Sequence, residues 1–161
     1  ETESPYPAVR STTFWTLSRF IRWIVNREDA DEITSLLTQV LAGMLTNNRL
    51  VQKSASTALS LLLDASPQTG TEYLDDILTV FEQAVQVYHG RSLINLLDAI
   101  STFCGHQGEH LKTEQNMNKL IKPLVMKWEM YENDNIMICH ILECFDAVLA
   151  AVGYCFKPYI Q

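Results

Sequence analysis

One apolar stripe recurs along this chain at a nearly fixed interval. Val9, Thr13, Thr16/Leu17 and Phe20 can be laid over Val51, Ala55, Ala58/Leu59 and Leu62. Those in turn lie over Leu93, Leu97, Ile100 and Cys104, and then over Ile138, Leu142, Phe145 and Leu149. The steps are 42, 42 and 45 residues. Within each stripe the apolar positions fall three and four apart, which is one face of an α-helix. A repeated helix face at this interval leaves little room for any fold other than a stack of similar helical units.

A second series of helical stripes lies between the first. Ile33, Leu36, Leu37, Val40, Leu41, Met44 and Leu45 form one. Tyr73, Leu74, Ile77, Leu78, Phe81, Val85 and Tyr88 form the next, and Met117, Leu120, Ile121, Leu124, Val125 and Trp128 the last. Asn47–Asn48, Ser66–Pro67, Gly70 and a loop with Gly105 and Gly108 separate them. Asp31 and Glu32 suit a helix start, where they oppose the dipole. Helix pairs at a spacing of about 40–47 residues are the mark of HEAT or armadillo repeats. An armadillo repeat would need a third short helix, and none is visible. The expected fold is therefore all-α, a HEAT-repeat α-solenoid of antiparallel helix pairs wound into a right-handed superhelix. The expected units are a second helix over 7–26, repeats over 31–65, 70–105 and 114–153, and the start of another repeat over 156–161. Pro123 falls inside a first helix, where its ring removes one backbone bond and should kink it. The chain begins with Glu1, so it reads as a piece of something longer, with apolar surface expected at both ends.

The 161 residues are 47% apolar, enough for a continuous core. Nineteen acids against 12 bases give a net charge of −7. That balance argues against a nucleic-acid binder, which needs clustered lysine and arginine, and favours a basic partner. No apolar run is expected to approach the roughly 20 residues that span a bilayer, and no signal-peptide pattern is present. Cys104, Cys139, Cys144 and Cys155 lack Cys-x-x-Cys spacing and read as reduced core thiols. Cys104, His106, Glu109 and His110 in "CGHQGEH" match no zinc spacing and read as turn residues. Cys139 and His140 read as packing residues on a helix rather than a nucleophilic pair. Glu28–Asp29, Asp31–Glu32 and Asp75–Asp76 read as caps and solvated charge. Met126, Met130 and Met137 read as core fillers. No phosphate loop or nucleophile elbow occurs. The expectation is a binding protein with no catalytic residues, no metal and no cofactor.

The stretch "RSTTFWTLSRFIRW" (10–23) carries Phe14, Trp15, Phe20 and Trp23, more rings than one helix face can bury. At about 100° per residue, Val9, Thr13, Leu17, Phe20, Ile21 and Ile24 share the core arc, with Phe14 beside it. Trp15 points almost the opposite way, Arg19 follows one turn later on the same face, and Trp23 stands at that face's edge. An exposed indole forgoes about 1.5–3 kcal/mol of burial, so Trp15 either covers a loop or neighbouring repeat or serves as a platform for a ligand. In the second case the indole stacks on an apolar side chain and Arg19 bonds a backbone or carboxylate.

"VRSTTFWTLSRF" (9–20), "NRLVQKSASTA" (48–58), "LINLLDAIST" (93–102), "IKPLVMKW" (121–128) and "HILECF" (140–145) resemble the transportins, importin-beta-type karyopherins built of HEAT repeats. The resemblance runs from about Val9 to Tyr159, and the string around Trp15 is its most specific part. It implies a nuclear import receptor, shuttling between cytoplasm and nucleus, whose concave face binds a proline-tyrosine nuclear localisation signal of cargo proteins. Ran in its GTP form releases that cargo. Ran and nucleoporins would bind largely outside this stretch, which is similar to the middle repeats. Neither nucleic acid nor membrane is an implied partner. Trp15, Arg19 and Asp98 match the family's peptide-binding residues, and Asp64 stands where the family has a glutamate. Thr12 replaces an isoleucine of the same pocket, Lys53 a glutamate and Gly105 an aspartate. Those three departures thin the pocket and weaken its pull on basic cargo, each exposed charge pair being worth about 0–1 kcal/mol. They also motivate a competing reading, a HEAT-repeat scaffold for other proteins with no import role.

Overall fold

A computed structural model describes residues 2–159. Eight α-helices follow one another: α1 (Pro7–Val25), α2 (Ala30–Met44), α3 (Arg49–Ala65), α4 (Pro67–Glu72), α5 (Leu74–Val87), α6 (Gly90–Gln107), α7 (Glu114–Met130) and α8 (Asn135–Val152). Short 3-10 turns occupy Gly108–Leu111 and Gly153–Tyr159. No strand occurs among the described residues. Side chains fix several starts. Asp29 accepts the Glu32 N–H, Asn48 those of Leu50 and Val51, Thr113 that of Asn116, and Asp134 those of Ile136 and Met137.

The helices form two layers, as a HEAT-repeat solenoid requires. α1, α3, α6 and α8 lie side by side, each on the next, and α2, α5 and α7 form the other layer. Hydrogen bonds at about one repeat's separation give the directions. Ser54 donates to Ser11 (3.2 Å), Asn95 to Thr57 (3.2 Å), and Ser60 meets Thr102 at 3.0 Å. The contact positions advance together along each pair, Ser11–Ser54 then Arg22–Asp64, and Thr57–Asn95 then Ser60–Thr102, so α1, α3 and α6 run parallel. Packing is closer throughout the α1–α3–α6–α8 layer than between α2 and α5.

The burial pattern explains why helices must stack. In α3 two adjacent faces are buried, Val51/Ala55/Ala58/Leu62 and Gln52/Ser56/Leu59/Leu63. α6 repeats both, as Ser92/Leu96/Ala99/Phe103 and Leu93/Leu97/Ile100/Cys104. By burial, the step from α3 to α6 is 41 residues, one fewer than the apolar pattern gave. α8 keeps only the first face, through Met137, Ile141, Cys144 and Val148, and α1 only the second, through Phe14 and Ile21 with Leu17 partly buried. The other faces stay in solvent. Phe20 is 55% exposed and Val9 39%, although the wheel assigned both to the core. Leu142 and Leu149 are exposed as well, so the expected α8 stripe is one residue out of register with the buried one. Periodicity marks these faces as apolar, but burial needs a neighbour, and among the described residues none covers them.

Other expectations change in detail. The supposed break at Ser66–Gly70 contains α4, which Gln107 ties to α6 by donating to the Pro67 carbonyl (2.7 Å) and accepting from Thr71 (2.8 Å). α6 runs through Gly105 to Gln107, so "CGHQGEH" starts as helix and not as loop. α7 continues through Pro123. Residues 156–159 belong to the 3-10 turn after α8, and 160–161 lie outside the described residues. Cys104 and Cys144 are buried, but Cys139 and Cys155 are exposed and are not core thiols. Contrary to the expectation, Asn135–Tyr159 is long and apolar enough to cross a membrane by length and composition alone. Its buried face packs on α6 and α7, and the exposed apolar face is the one that α6 buries.

Two buried polar groups lock the repeats together. The Tyr88 hydroxyl donates to the Met44 carbonyl at the end of α2 (2.7 Å), and burial raises its pKa. Lys127, 2% exposed, donates to the Gln86 and Tyr88 carbonyls (3.1 and 2.9 Å) at the end of α5. A cation at a helix C-terminus meets both orphan carbonyls and the negative end of the dipole. Burial holds its pKa below the ordinary lysine value.

Candidate peptide-binding surface

α1 is fixed on its inner side by Phe14, which is fully buried against Gly43 of α2. A Cβ at Gly43 would stand 2.6 Å from the Phe14 ring, so glycine is what lets the ring lie there. With Phe14 held inward, Trp15 is turned out and is 58% exposed. The Arg19 guanidinium lies over its indole, 5.6 Å from the ring centre, a cation–π pair one turn apart. Trp23 and Arg27 repeat the arrangement at 5.0 Å, with Trp23 60% exposed. The ring left over is thus not one but three, since Phe20 is also in solvent.

Trp15 forms one wall of a cleft of about 290 Å³ between α1 and α3. Ser11, Thr12 and Ser18 line it from α1, and Leu50, Lys53, Ser54 and Thr57 from α3. Thr12 and Trp15 are therefore together, as expected from the sequence, with Arg19 one turn along. Lys53, expected to weaken the pull on basic cargo, lines the cleft, whereas the small hydroxyls of α3 were not among the expected site residues. They could have been found by advancing from Trp15 by one repeat, which lands on Thr57.

The two carboxylates fall elsewhere. Asp64, near the end of α3, lies 3.7 Å from Arg22 of α1 and 3.8 Å from His106 of α6. Both contacts are longer than a hydrogen bond, and the facing Arg22 is exposed. Asp98 is exposed on α6, between the levels set by the Asn95–Thr57 and Thr102–Ser60 bonds. Trp15, Thr57 and Asp98 consequently lie on one line across three parallel helices. Neighbouring helices sit about 8–10 Å apart, so that line is about 16–20 Å long. An extended chain covers it with about six residues at about 3.3 Å each.

No site for a metal emerges: no group of three His, Cys, Asp or Glu side chains could hold an ion among the described residues. His140 meets Glu143 one turn away (3.2 Å) beside the exposed Cys139. Burial raises the pKa of Cys104, and that of Cys144 is pushed up to about 12, so both stay as thiols.

No family model matches the chain. Individual proteins do. It is 33% identical over 153 residues to transportin-1 of Homo sapiens and of Mus musculus, which covers 95% of this chain. It is 30% identical over 161 residues to importin subunit beta-2 of Schizosaccharomyces pombe, covering 98%. The chain belongs to the transportin family. It spans 17% of the length of the mammalian transportins and 18% of the yeast protein. Within the transportin-like sequence, the string from Val9 to Phe20 falls wholly on α1. The most specific part of the likeness and the exposed Trp15–Arg19 pair are one element.

Proposed function

We propose that this transportin stretch serves nuclear import by holding a proline-tyrosine nuclear localisation signal as an extended strand across α1, α3 and α6. Trp15 offers the stacking surface, Thr12 the adjoining wall, and Arg19 a donor for the peptide's backbone or carboxylate. Asp98 and Asp64 receive the signal's basic side chains. Ran in its GTP form releases the cargo, through surfaces largely beyond these residues, and the parent protein shuttles between cytoplasm and nucleus. One observation carries the reading: a large indole stands in solvent on the tightly packed layer, beneath its own guanidinium and beside a cleft of about 290 Å³. Stability gives no reason for that exposure.

The test is a titration of the chain with a fluorescent basic proline-tyrosine peptide, repeated with Trp15→Ala. Loss of stacking should weaken binding by about 1–3 kcal/mol. Equal binding by both proteins removes Trp15 from the site. A second reading, a scaffold without import activity, draws on Lys53, which puts a positive charge in the cleft. Cargo that stays bound to the full-length parent in the presence of GTP-loaded Ran would favour it.

A further inference from the structure

The one charged side chain that lines the cleft beside Trp15 is a cation, Lys53, in a chain whose net charge is −7. Lys53 stands on its α3 wall, exposed, and Arg19 stands one turn along the α1 wall. Between them are only hydroxyls, Leu50 and the indole; no carboxylate lines the cleft. Among the described residues neither Arg19 nor Lys53 has an ion-pair partner within 4.0 Å. Asp64 is shared by Arg22 and His106. A basic side chain docked at Trp15 would face two like charges, and an acidic one two opposite charges.

We propose that the Trp15 cleft selects peptides carrying an aspartate or glutamate next to the ring-docked residue, and that Lys53 determines this preference. The proposal rests on the peptide-binding reading above and adds the charge of the ligand at one end. Apolar contact with Trp15 places the peptide, while the paired cations of α1 and α3 discriminate among flanking residues. Basic side chains are then accepted only away from the cleft, at Asp98 and Asp64. The ligand is polarised, acidic beside the proline-tyrosine end and basic toward α6.

The experiment uses the 161-residue chain and two labelled proline-tyrosine peptides that differ only in the flanking residue, aspartate or arginine. Fluorescence anisotropy gives both dissociation constants, at low and at high salt. The aspartate peptide should bind about three- to fivefold tighter, the scale of one exposed charge pair, and the gap should shrink as salt screens it. Lys53→Glu should reverse the order and Lys53→Ala should remove most of it. Both changes are at an exposed side chain, and thermal melts check that the fold is kept. Equal binding of the two peptides, or an order that Lys53→Glu leaves unchanged, overturns the charge preference alone. Failure of the chain to bind either peptide overturns the underlying peptide-binding reading and this proposal with it.

Discussion

Trp15 could be placed opposite the core arc from sequence because a helix turns about 100° per residue, and a strong apolar stripe fixes where zero lies; that it stands in solvent came from the structure. The same arithmetic put Phe20 in the core and failed, because Phe20 lies on the face that α3 and α6 bury against another repeat. Angle tells which residues share a face; only a neighbour tells whether that face is dry. Cysteines follow the same rule. Cys139 and Cys155 looked like Cys104 and Cys144 in an apolar context, yet two are exposed and two buried. Two thiols should therefore react promptly with a thiol reagent in the native chain, and four after unfolding. Four fast thiols would contradict the packing of α6 on α8. Lys127 gives a second residue-scale test. Lys127→Met keeps the apolar stem but leaves the Gln86 and Tyr88 carbonyls without their donor. Stability should fall by about 1–3 kcal/mol in urea unfolding, and a neutral result would mean that water replaces the ammonium.

At the scale of the element, helices were legible and their junctions were not. α2, α3, α7 and α8 begin at side chains that cap them, and capping residues are visible in sequence. α4 was missed because Pro67 and Gly70 signal a break. Pro is equally suited to the first turn of a helix, and Gly70 sits where a Cβ would meet Gln107 at 2.6 Å. Gly105 misled in the other direction. It lies inside α6, and a Cβ there would meet nothing within 4 Å. No steric reason demands glycine, so Gly105→Ala should raise stability by about 0.5–1 kcal/mol, read as a higher urea midpoint. A loss would mean that the α6 end is not helical in solution. Gly43→Ala should do the opposite, since Phe14 has to move to admit the methyl group. Because Phe14 sets the orientation of α1, the same variant should also weaken peptide binding, although it never touches the cleft.

Over the whole molecule, the repeat length was the most readable property, since each pair must bury two faces against its neighbours and so repeats the same pattern. The site was half readable. Thr12, Trp15 and Arg19 share one helix and one wheel, Lys53 was attached to them through the family likeness alone, and Ser54 and Thr57 join them because α1 and α3 run parallel in a fixed register. Asp64 was found facing Arg22 and His106, which no single-sequence argument could anticipate. The central claim is that one face of this stack, at the Trp15 end, receives an extended peptide. Three tryptophans report on it from different places: Trp15 in the cleft, Trp23 further along α1, and Trp128 in α7. Following their indole N–H resonances by NMR during titration with a proline-tyrosine peptide is the most direct test. The account predicts a large shift at Trp15, a small one at Trp23 and none at Trp128; a Trp15 resonance that stays put while the peptide binds would contradict it.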